Sequence, residues 1–439
     1  MAACEKPWTI IVGAGPSGLL LGLMLAKKGV IVHILEAAGE LDDSPRAAYY
    51  GPPAAYELRR AGVIDDVRNE GFDPVKTCWR KLDGTYLAGF DNSLMHEDPD
   101  RLACLPLAQL DRLLYRHAIQ QPTLKVFFNH KVVDVGQDDD KAWVDVETPE
   151  GQKRLVATYI VGCDGASSTV RRKLYGAKDF PGYTWDKQIV ATNVAYPFEK
   201  FGYDDANFFI HPEHWHMVAR LTKNADGSGW WRVSYGEISG LTREELIARQ
   251  PMKYEAMLPG HPKPGEYNLA AISPYKIHQR LVEKMRVGRF MLAADAAHIC
   301  NPFGGLGLTG GLVDIGGLYD CMIGVYEGKA DESIFDKYSE MRRQRYQTVT
   351  DPISTDNIKR LFDQDPDKAL ENDSFLKMLK DMEDDVEAQR EFMRSPMALR
   401  YDFTQHYKTS DATNGTRESG VKNSAVTSHV EQIAVGGTN

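Results

Sequence analysis

The sequence predicts an α/β protein with a parallel-sheet nucleotide-binding domain, an inserted mostly antiparallel sheet and a C-terminal helical segment. A buried-strand run leads directly into a glycine-rich turn at residues 13–18 and then into an apolar helical segment. Two further strand-like runs end on an acid or a glycine turn, at residues 164–165 and 295–311. In an open parallel sheet such strand ends gather at one edge, where ligands bind.

Composition sets the broad class. The chain has 439 residues, 43% apolar and 26% charged, as in ordinary globular proteins, and its length predicts two or three domains. The net charge of −10 argues against nucleic acid or an anionic membrane as a partner. Its six cysteines are scattered without a CxxC pair, which indicates neither a metal cluster nor a disulfide framework and favours a reducing, cytoplasmic setting.

The uncharged segment from Thr9 to Ala26 has the composition of a signal peptide or an anchor. Four glycines or prolines interrupt it between positions 13 and 18, and no small-residue cleavage site follows. A strand, a turn and a helix account for it better, so we expect no membrane span.

The same segment carries a Rossmann-like dinucleotide fingerprint in its proper context. The strand 8–12 leads into the glycines, a helix and then a second strand, 30–35, which ends on Glu36. Gly13 makes the tight turn, Gly15 lets a pyrophosphate approach the backbone, and Gly18 lets helix and strand pack closely. Glu36 can accept both hydroxyls of an adenosine ribose, which favours FAD or NAD over NADP at this site.

Between this fingerprint and the next, the sequence is less specific. Arg46 could reach the pyrophosphate or could be a solvated loop arginine, and both interpretations stay open. Helices are predicted at 54–61 and 105–117, and strands at 126–128, 131–135 and 142–148.

Two later strands are also followed by an acid or a glycine turn. The run 159–162 is followed by Asp164 and Gly165, and the run 290–294 by Asp295. After Asp295 come Pro302 and a glycine-dense loop that leads into an apolar helical segment, 312–325. An isolated carboxylate at a strand end suits hydroxyl binding. Because this glycine-rich loop has few side chains, backbone N–H groups at the start of the next helix can face a large, flat and electron-rich ligand.

Together the three motifs resemble the single-component FAD-dependent aromatic hydroxylases of the p-hydroxybenzoate and salicylate hydroxylase type, including many fungal secondary-metabolism flavin monooxygenases. The motifs cover roughly residues 8 to 345. The resemblance implies an FAD-binding domain over 1–182 and 273–350 and a substrate-binding sheet over 183–272. Beyond the resemblance, an amphipathic pattern predicts a C-terminal helical extension over 351–405, and the Ser, Thr, Asn and Gly content predicts a disordered tail over 406–439.

The resemblance also implies roles for particular residues. Asp295 would bind the ribityl chain, Pro302 would lie beside the isoalloxazine, and the loop 304–309 would present N–H groups to the flavin N1/C2-carbonyl edge. Asp164 and Gly165 would lie near both the flavin and the nicotinamide route. The candidate cofactor-binding residues are Gly13, Gly15, Gly18, Glu36, Arg46, Asp164, Gly165, Asp295, Pro302, Gly305, Gly307 and Leu308.

The chain departs from the family pattern at three positions. Ala294 stands where a glycine is usual, which is tolerable if its φ is negative. Thr309 replaces a usual asparagine, a change without an interpretation. Leu107 replaces an arginine or glutamine that touches the flavin chain, so that contact is absent or is supplied by Gln109.

The middle of the chain is rich in aromatic, strand-like runs, at 188–198, 207–210, 215–222 and 230–235. They suit an aromatic or polycyclic substrate, although aromatic residues in a sheet are also plain core. His216, Arg220 and Tyr235 are the catalytic candidates. Strand alternation puts His216 and Arg220 on one face and Met217 on the other, without deciding which face meets the flavin. No metal site is expected.

Past residue 330 the chain reads as helical. The charged stretch 333–350 predicts a helix with a solvated face, and 375–386 predicts an amphipathic helix that caps the substrate cavity or mediates dimerisation. A monomer or a homodimer is therefore expected.

The resemblance implies a monooxygenase that uses NADH or NADPH and O2 to hydroxylate an aromatic, phenolic or polycyclic substrate through a flavin C4a-hydroperoxide. With one dinucleotide fingerprint, NAD(P)H would dock transiently. Epoxidation, Baeyer–Villiger insertion and oxidative rearrangement stay open on the same fold. A non-catalytic FAD- or NAD-binding redox sensor is the alternative from another class.

Overall fold

A computed structural model of the chain describes residues 6–44, 46–176 and 180–408. The strands are β1 Thr9–Val12, β2 Val32–Leu35, β3 Tyr49–Tyr50, β4 Lys76–Lys81, β5 Tyr86–Asp91, β6 Ala103–Cys104, β7 Leu124–Phe127, β8 Lys131–Gln137, β9 Ala142–Thr148, β10 Gly151–Ala157, β11 Tyr159–Gly162, β12 Gly182–Ala195, β13 Ala206–Ile210, β14 His216–Arg220, β15 Trp231–Glu237, β16 Asn268–Leu281, β17 Arg286–Val287, β18 Phe290–Leu292 and β19 His298–Ile299. The α-helices are α1 Pro16–Ala26, α2 Pro52–Arg60, α3 Ile64–Glu70, α4 Leu107–Ala118, α5 Thr169–Tyr175, α6 Arg243–Met257, α7 Leu306–Tyr326, α8 Ile334–Arg345, α9 Asp351–Phe362, α10 Ala369–Asn372, α11 Ser374–Asp381 and α12 Val386–Arg394.

A six-stranded sheet in the order β17-β18-β11-β1-β2-β7 forms the centre of the nucleotide-binding region. All neighbours in it run parallel except the short β17. Strands β1, β2, β11 and β18 are buried along their whole length, which is why their sequences are largely apolar rather than alternating, although β1 includes the buried Thr9 and β2 the buried His33. The predicted α/β class with a parallel sheet is confirmed.

A second sheet of eight strands, in the order β19-β16-β12-β15-β14-β13-β4-β5, lies over the carboxyl edge of the first. Only the β13–β4 pair in it is parallel. It takes in the hairpin 76–91, and β16 runs across the predicted boundary at 272/273, so the sheet extends beyond the predicted range 183–272. The hairpin is hidden in the sequence because three of the six residues of β4 are basic, which obscures its alternation. The predicted domain division stays a prediction.

Helices α1 and α7 pack against each other in the core. The long α7 is apolar enough to cross a membrane by length and composition, but 83% of its most apolar window is buried inside the protein. Burial of this kind is typical of a core helix.

Two helices predicted in the C-terminal third differ from the structure. In α8, predicted to be a solvated face, Met341 and Arg342 are buried, and Arg342 donates to Asp314 at 2.6 Å. A charge can be buried there because it is paired. The predicted helix 375–386 ends at Asp381, and a separate helix, α12, begins at Val386, where the Asp385 carboxylate accepts from the first backbone N–H groups.

The first three residues of the predicted tail, 406–408, are described and follow a packed segment, and the disordered tail stays a prediction. Phe403 is buried, and the Tyr407 hydroxyl donates to the carbonyl oxygen of Asp320 at 2.6 Å. The rest of the predicted tail, 409–439, lies outside the described residues.

Candidate active site

A cavity of about 1400 Å³ lies between the parallel sheet and the inner face of the eight-stranded sheet. All three strand-end motifs line it, together with alternate residues of the second sheet and with α11 and α12. Its volume exceeds that of ordinary small-ligand pockets. It therefore has room for a dinucleotide and a second ligand.

The glycines at the first strand end have backbone geometries that suit the three roles predicted from their spacing. Gly13 has φ +104°, and a Cβ there would lie 2.5 Å from the carbonyl oxygen of Cys163. A Cβ on Gly18 would collide with the backbone of Gly13, so only glycine lets α1 pack this closely. A Cβ on Gly15 would meet nothing within 4 Å, and this open space on the cavity wall fits an approaching pyrophosphate.

Glu36 is held in place by backbone amides. Its Oε2 accepts from the N–H of Ala14 and its Oε1 from the N–H of Ala38, both at 2.8 Å. Each oxygen keeps a further lone pair for a hydroxyl donor, as a ribose requires. Arg46 lines the same end of the cavity, but its exposed guanidinium pairs with Asp42 at 3.1 Å.

The second motif is tied to the third. The Asp164 carboxylate caps α5, accepting from the N–H groups of Thr169 at 2.6 Å and Val170 at 3.1 Å. Burial raises the pKa of Asp164 against these hydrogen bonds. Arg171 donates to the carbonyl oxygen of Ala296 at 3.1 Å, one residue past Asp295. Asp164 and Gly165 both line the cavity, and Gly165 has φ +74°.

Asp295 has the geometry expected of a ligand-binding carboxylate. It lines the cavity, and among the described residues it has neither a hydrogen bond nor an ion pair. Burial raises its pKa, opposed first by His298 and then by Arg46. A carboxylate that faces open space without a protein partner fits a polyhydroxyl chain such as ribityl.

The loop beyond Asp295 presents backbone rather than side chains. Gly304 and Gly305 have φ +109° and +66°, and α7 begins at the next residue. Pro302, Gly305, Gly307 and Leu308 line the cavity. The free N–H groups of a helix start fit the electron-rich edge of a flavin. The residues of this cavity therefore fit FAD.

An alanine at position 294 was expected to be tolerated only with a negative φ, but the φ of Ala294 is +54°. The left-handed conformation is held by a buried network that the sequence did not reveal. The Ala294 N–H donates to Asp314 Oδ2 at 2.9 Å, and the same carboxylate pairs with His298 at 2.7 Å and Arg342 at 2.6 Å. Burial alone would raise the pKa of Asp314, but His298 and Arg342 lower it to about 2. The feature of the sequence that could have indicated this network is Asp314, the lone acid in the apolar first half of α7.

The structure shows what surrounds the other two departures from the family pattern, Thr309 and Leu107. Thr309 is buried beside Gly51, since a Cβ built on Gly51 would lie 3.7 Å from Thr309 Oγ1. Leu107 lines the cavity, whereas Gln109 does not, so Gln109 does not replace the missing contact. One turn further along α4, Asp111 is buried against the cavity, its Oδ1 has no hydrogen-bond partner among the described residues, and burial raises its pKa to about 8. Sequence reasoning missed Asp111.

The inner face of the second sheet forms a recess. One row across it comprises Ala191, Ser234, Met217, Phe208 and Trp79, which are register neighbours on β12, β15, β14, β13 and β4. The next row comprises Arg232, Ala219, Ala206 and Thr77. Small residues floor the centre, and an aromatic wall closes one end.

That aromatic wall is built from stacked rings. Trp79 stacks on Phe208 with a centroid distance of 5.1 Å, and Phe375 of α11 meets Trp79 edge-on at 5.2 Å. The opposite end of the recess is polar, because Ser273 and Tyr275 of β16 and Arg232 of β15 all line the cavity there. The recess thus offers an apolar end and a polar end to one ligand.

His216, Arg220 and Tyr235, the expected catalytic residues, do not line this cavity. His216 is fully buried and stacks on Phe209 at 4.2 Å, and burial lowers its pKa to about 3. Arg220 pairs with Asp205 at 3.0 Å. The predicted alternation is present in β14, and it places Met217 on the cavity face and His216 and Arg220 on the far face. The unpredicted helix α6 packs against that far face. Among the described residues, no group of three or more His, Cys, Asp or Glu could hold a metal ion.

The fold and the cavity are those of a flavoprotein that acts on a second, aromatic ligand. The chain belongs to the FAD binding domain family, whose model matches residues 8–352. It is 38% identical over 370 residues to para-nitrophenol 4-monooxygenase of Pseudomonas sp. (strain WBC-3), covering 84% of this chain and 90% of that protein. It is 33% identical to 6-hydroxy-3-succinoylpyridine 3-monooxygenase of Pseudomonas putida, over 90% of this chain and 98% of that one.

A solved structure agrees with these relatives. The crystal structure of p-nitrophenol 4-monooxygenase from Pseudomonas putida is 34% identical, covers 90% of this chain and 98% of its own, and superposes with a TM-score of 0.83. The expectations of an enzyme, of FAD and of aromatic monooxygenation are confirmed. The three relatives are bacterial, and the link to secondary metabolism stays a prediction.

Proposed function

We propose that this chain hydroxylates a single-ring phenol, using NADH or NADPH as reductant and O2 as oxidant. The observation that carries the proposal is the recess with small residues at its floor, Ala191, Ala219 and Ala206, between an aromatic wall and a polar end. The relatives at above 30% identity are named for single-ring substrates, a nitrophenol and a hydroxypyridine.

The residues have separable tasks in this proposal. The glycines of the first motif and Glu36 hold the adenosine end of FAD, and Asp295 and the start of α7 hold its flavin end. FAD, when bound, supplies the redox chemistry by accepting two electrons from a nicotinamide and activating O2. Trp79, Phe208 and Phe375 orient the ring and exclude water from the recess.

The setting of the enzyme belongs to the same proposal. We propose a cytoplasmic location, supported by free thiols at all five described cysteines. We propose a monomer or a homodimer, in which α11 and α12 cap the cavity rather than join subunits, because Phe375 and Phe392 line the cavity.

The test uses purified, FAD-loaded protein and a panel of phenols that includes p-nitrophenol. We expect a single-ring phenol to stimulate NADH or NADPH oxidation and to receive one atom from isotopically labelled O2. A flavoprotein whose NAD(P)H oxidation no phenol stimulates would instead support the redox-sensor alternative. Label in an epoxide or a ring-inserted product would support the other oxygenations.

A further inference from the structure

Arg232 occupies a fixed position at the polar end of the recess. It lies on β15 and lines the cavity. Its Nε donates to Asn193 Oδ1 at 2.7 Å, and its Nη2 donates to the carbonyl oxygen of Arg46 at 2.8 Å. These two bonds orient the guanidinium between the second sheet and the segment that follows Glu36. Its Nη1 has no hydrogen bond to any described residue.

This guanidinium has no counter-ion. Within the described parts of the chain, no carboxylate lies within 4.0 Å of it. By contrast, Arg220 on β14 and Arg249 on α6 each pair with a carboxylate at 3.0 Å. Burial lowers the pKa of Arg232, and the groups that oppose this shift, Tyr275 and Cys104, are themselves neutral near pH 7 because burial raises the pKa of each. An enclosed cation without a partner is unfavourable, and an anionic ligand would offset that cost.

The rest of the recess indicates what carries the anion. The aromatic wall begins at Phe208 on β13, two strand spacings from β15, which is about 10 Å. Small side chains, Ala219 and Ala206, floor the space between. A flat ring that stacks at the apolar end therefore directs a substituent toward Arg232.

We propose that Arg232 binds the oxyanion of the aromatic substrate, so that the site selects phenols bound as phenolates. This inference rests on the proposed function. The guanidinium donates from Nη1 to the phenolate oxygen and stabilises its charge. The bound ring is then in its more electron-rich form, which favours attack by an electrophilic oxygen.

The test follows the ionisation of bound p-nitrophenol, whose phenolate absorbs visible light. FAD-loaded enzyme is titrated with p-nitrophenol across a pH series without NAD(P)H, with the flavin spectrum subtracted. In wild type we expect the bound phenol to ionise at least about one pH unit below the free compound. In Arg232→Gln we expect that shift to vanish and the Kd to rise about tenfold or more. Arg232→Lys keeps the charge and should retain part of the shift.

Two controls distinguish phenolate binding from a general loss of positive charge and from a loss of cofactor binding. Lys223→Met removes an exposed charge from the hairpin between β14 and β15 and should leave the ionisation unchanged. The same variants are assayed for FAD content and for the KM of NADH and NADPH. Loss of FAD or of nucleotide affinity in Arg232→Gln, with the phenol's shift intact, would mean that the anion is a cofactor phosphate and would overturn the proposal.

The remaining outcomes distinguish a failure of this inference from a failure of the proposed function. If wild type hydroxylates p-nitrophenol and Arg232→Gln does so with the same KM and the same phenol ionisation, this inference fails and the proposed function stands. Failure of wild type to bind p-nitrophenol overturns the inference as well. If no phenol stimulates NAD(P)H oxidation, the proposed function itself fails.

Discussion

Ala294 and Asp295 are adjacent residues with opposite relations to the protein around them. Ala294 is fixed by its N–H bond to Asp314 in a backbone conformation that disfavours a side chain. Asp295 has no partner among the described residues and faces the cavity. The strain at one residue therefore aims the carboxylate of the next, and the two can be tested separately.

Replacing Ala294 with glycine should stabilise the protein. A left-handed conformation costs an L-residue about 1–2 kcal/mol, and glycine removes this cost. Part of the stabilisation is offset because glycine has more conformational freedom in the unfolded chain. We expect the free energy of unfolding of the apoprotein to rise by about 0.5–1 kcal/mol in urea titrations. Ala297→Gly is the matched control, since Ala297 has φ −103° and is buried, and it should destabilise. Equal effects at both positions would contradict the assigned strain.

Replacing Asp295 with alanine should weaken FAD binding without weakening the fold. Because the carboxylate has no partner in the described chain, we expect an unchanged apoprotein Tm and a Kd for FAD raised about tenfold or more, measured by flavin fluorescence. Asp43→Ala removes an exposed acid outside the cavity wall and should bind FAD as wild type does. Wild-type FAD affinity in Asp295→Ala would remove Asp295 from the cofactor site.

The elements illustrate what the sequence could and could not predict. Strands β1, β2, β11 and β18 and the turns after them follow from local patterns, since each has a largely apolar run and a glycine or acid at its end. Strand β14 shows the limit. Its alternation was readable, but both of its faces are buried, and only the packing of α6 on one of them decides that Met217 rather than His216 faces the cavity.

The contact between α7 and α8 through Asp314 should be essential to the flavin loop. Asp314→Asn leaves His298 and Arg342 buried without a carboxylate, and we expect a loss of about 3–5 kcal/mol in unfolding free energy at neutral pH. The folded pKa of about 2 lies below the unfolded value. The contribution of the carboxylate is therefore fully present above about pH 4 and falls as the pH drops toward about 2, by about 2–3 kcal/mol. The stability gap between wild type and Asp314→Asn should narrow over that range, and a constant gap would contradict the assignment.

Helix α11 should control water access to the recess through Phe375. We expect Phe375→Ala to lower the fraction of NAD(P)H oxidation that yields hydroxylated product, because water reaches the flavin side of the cavity. Met378→Ala, on the same helix but away from the cavity wall, should keep the wild-type fraction. The measurement compares product formed with nucleotide consumed, and equal coupling in both variants would show that α11 is not a seal.

At the scale of the whole molecule, function depends on two sheets that share one cavity. The cofactor half was predictable because its chemistry lies in three strand-end motifs with fixed spacing. The substrate half was not, because Trp79 and Phe375 reach it from a hairpin and a helix almost 300 residues apart, and no local pattern joins them. Arg232 likewise becomes significant only once its described surroundings are known to lack a carboxylate.

The central claim is that this cavity holds FAD beside a single-ring phenol and transfers oxygen between them. The most direct measurement is the incorporation of isotopically labelled O2 into p-nitrophenol by the FAD-loaded enzyme with NADH or NADPH, analysed by mass spectrometry. We predict one labelled oxygen atom on the ring for each product molecule formed. Unlabelled product, or NAD(P)H consumption that p-nitrophenol and other single-ring phenols leave unchanged, would contradict it.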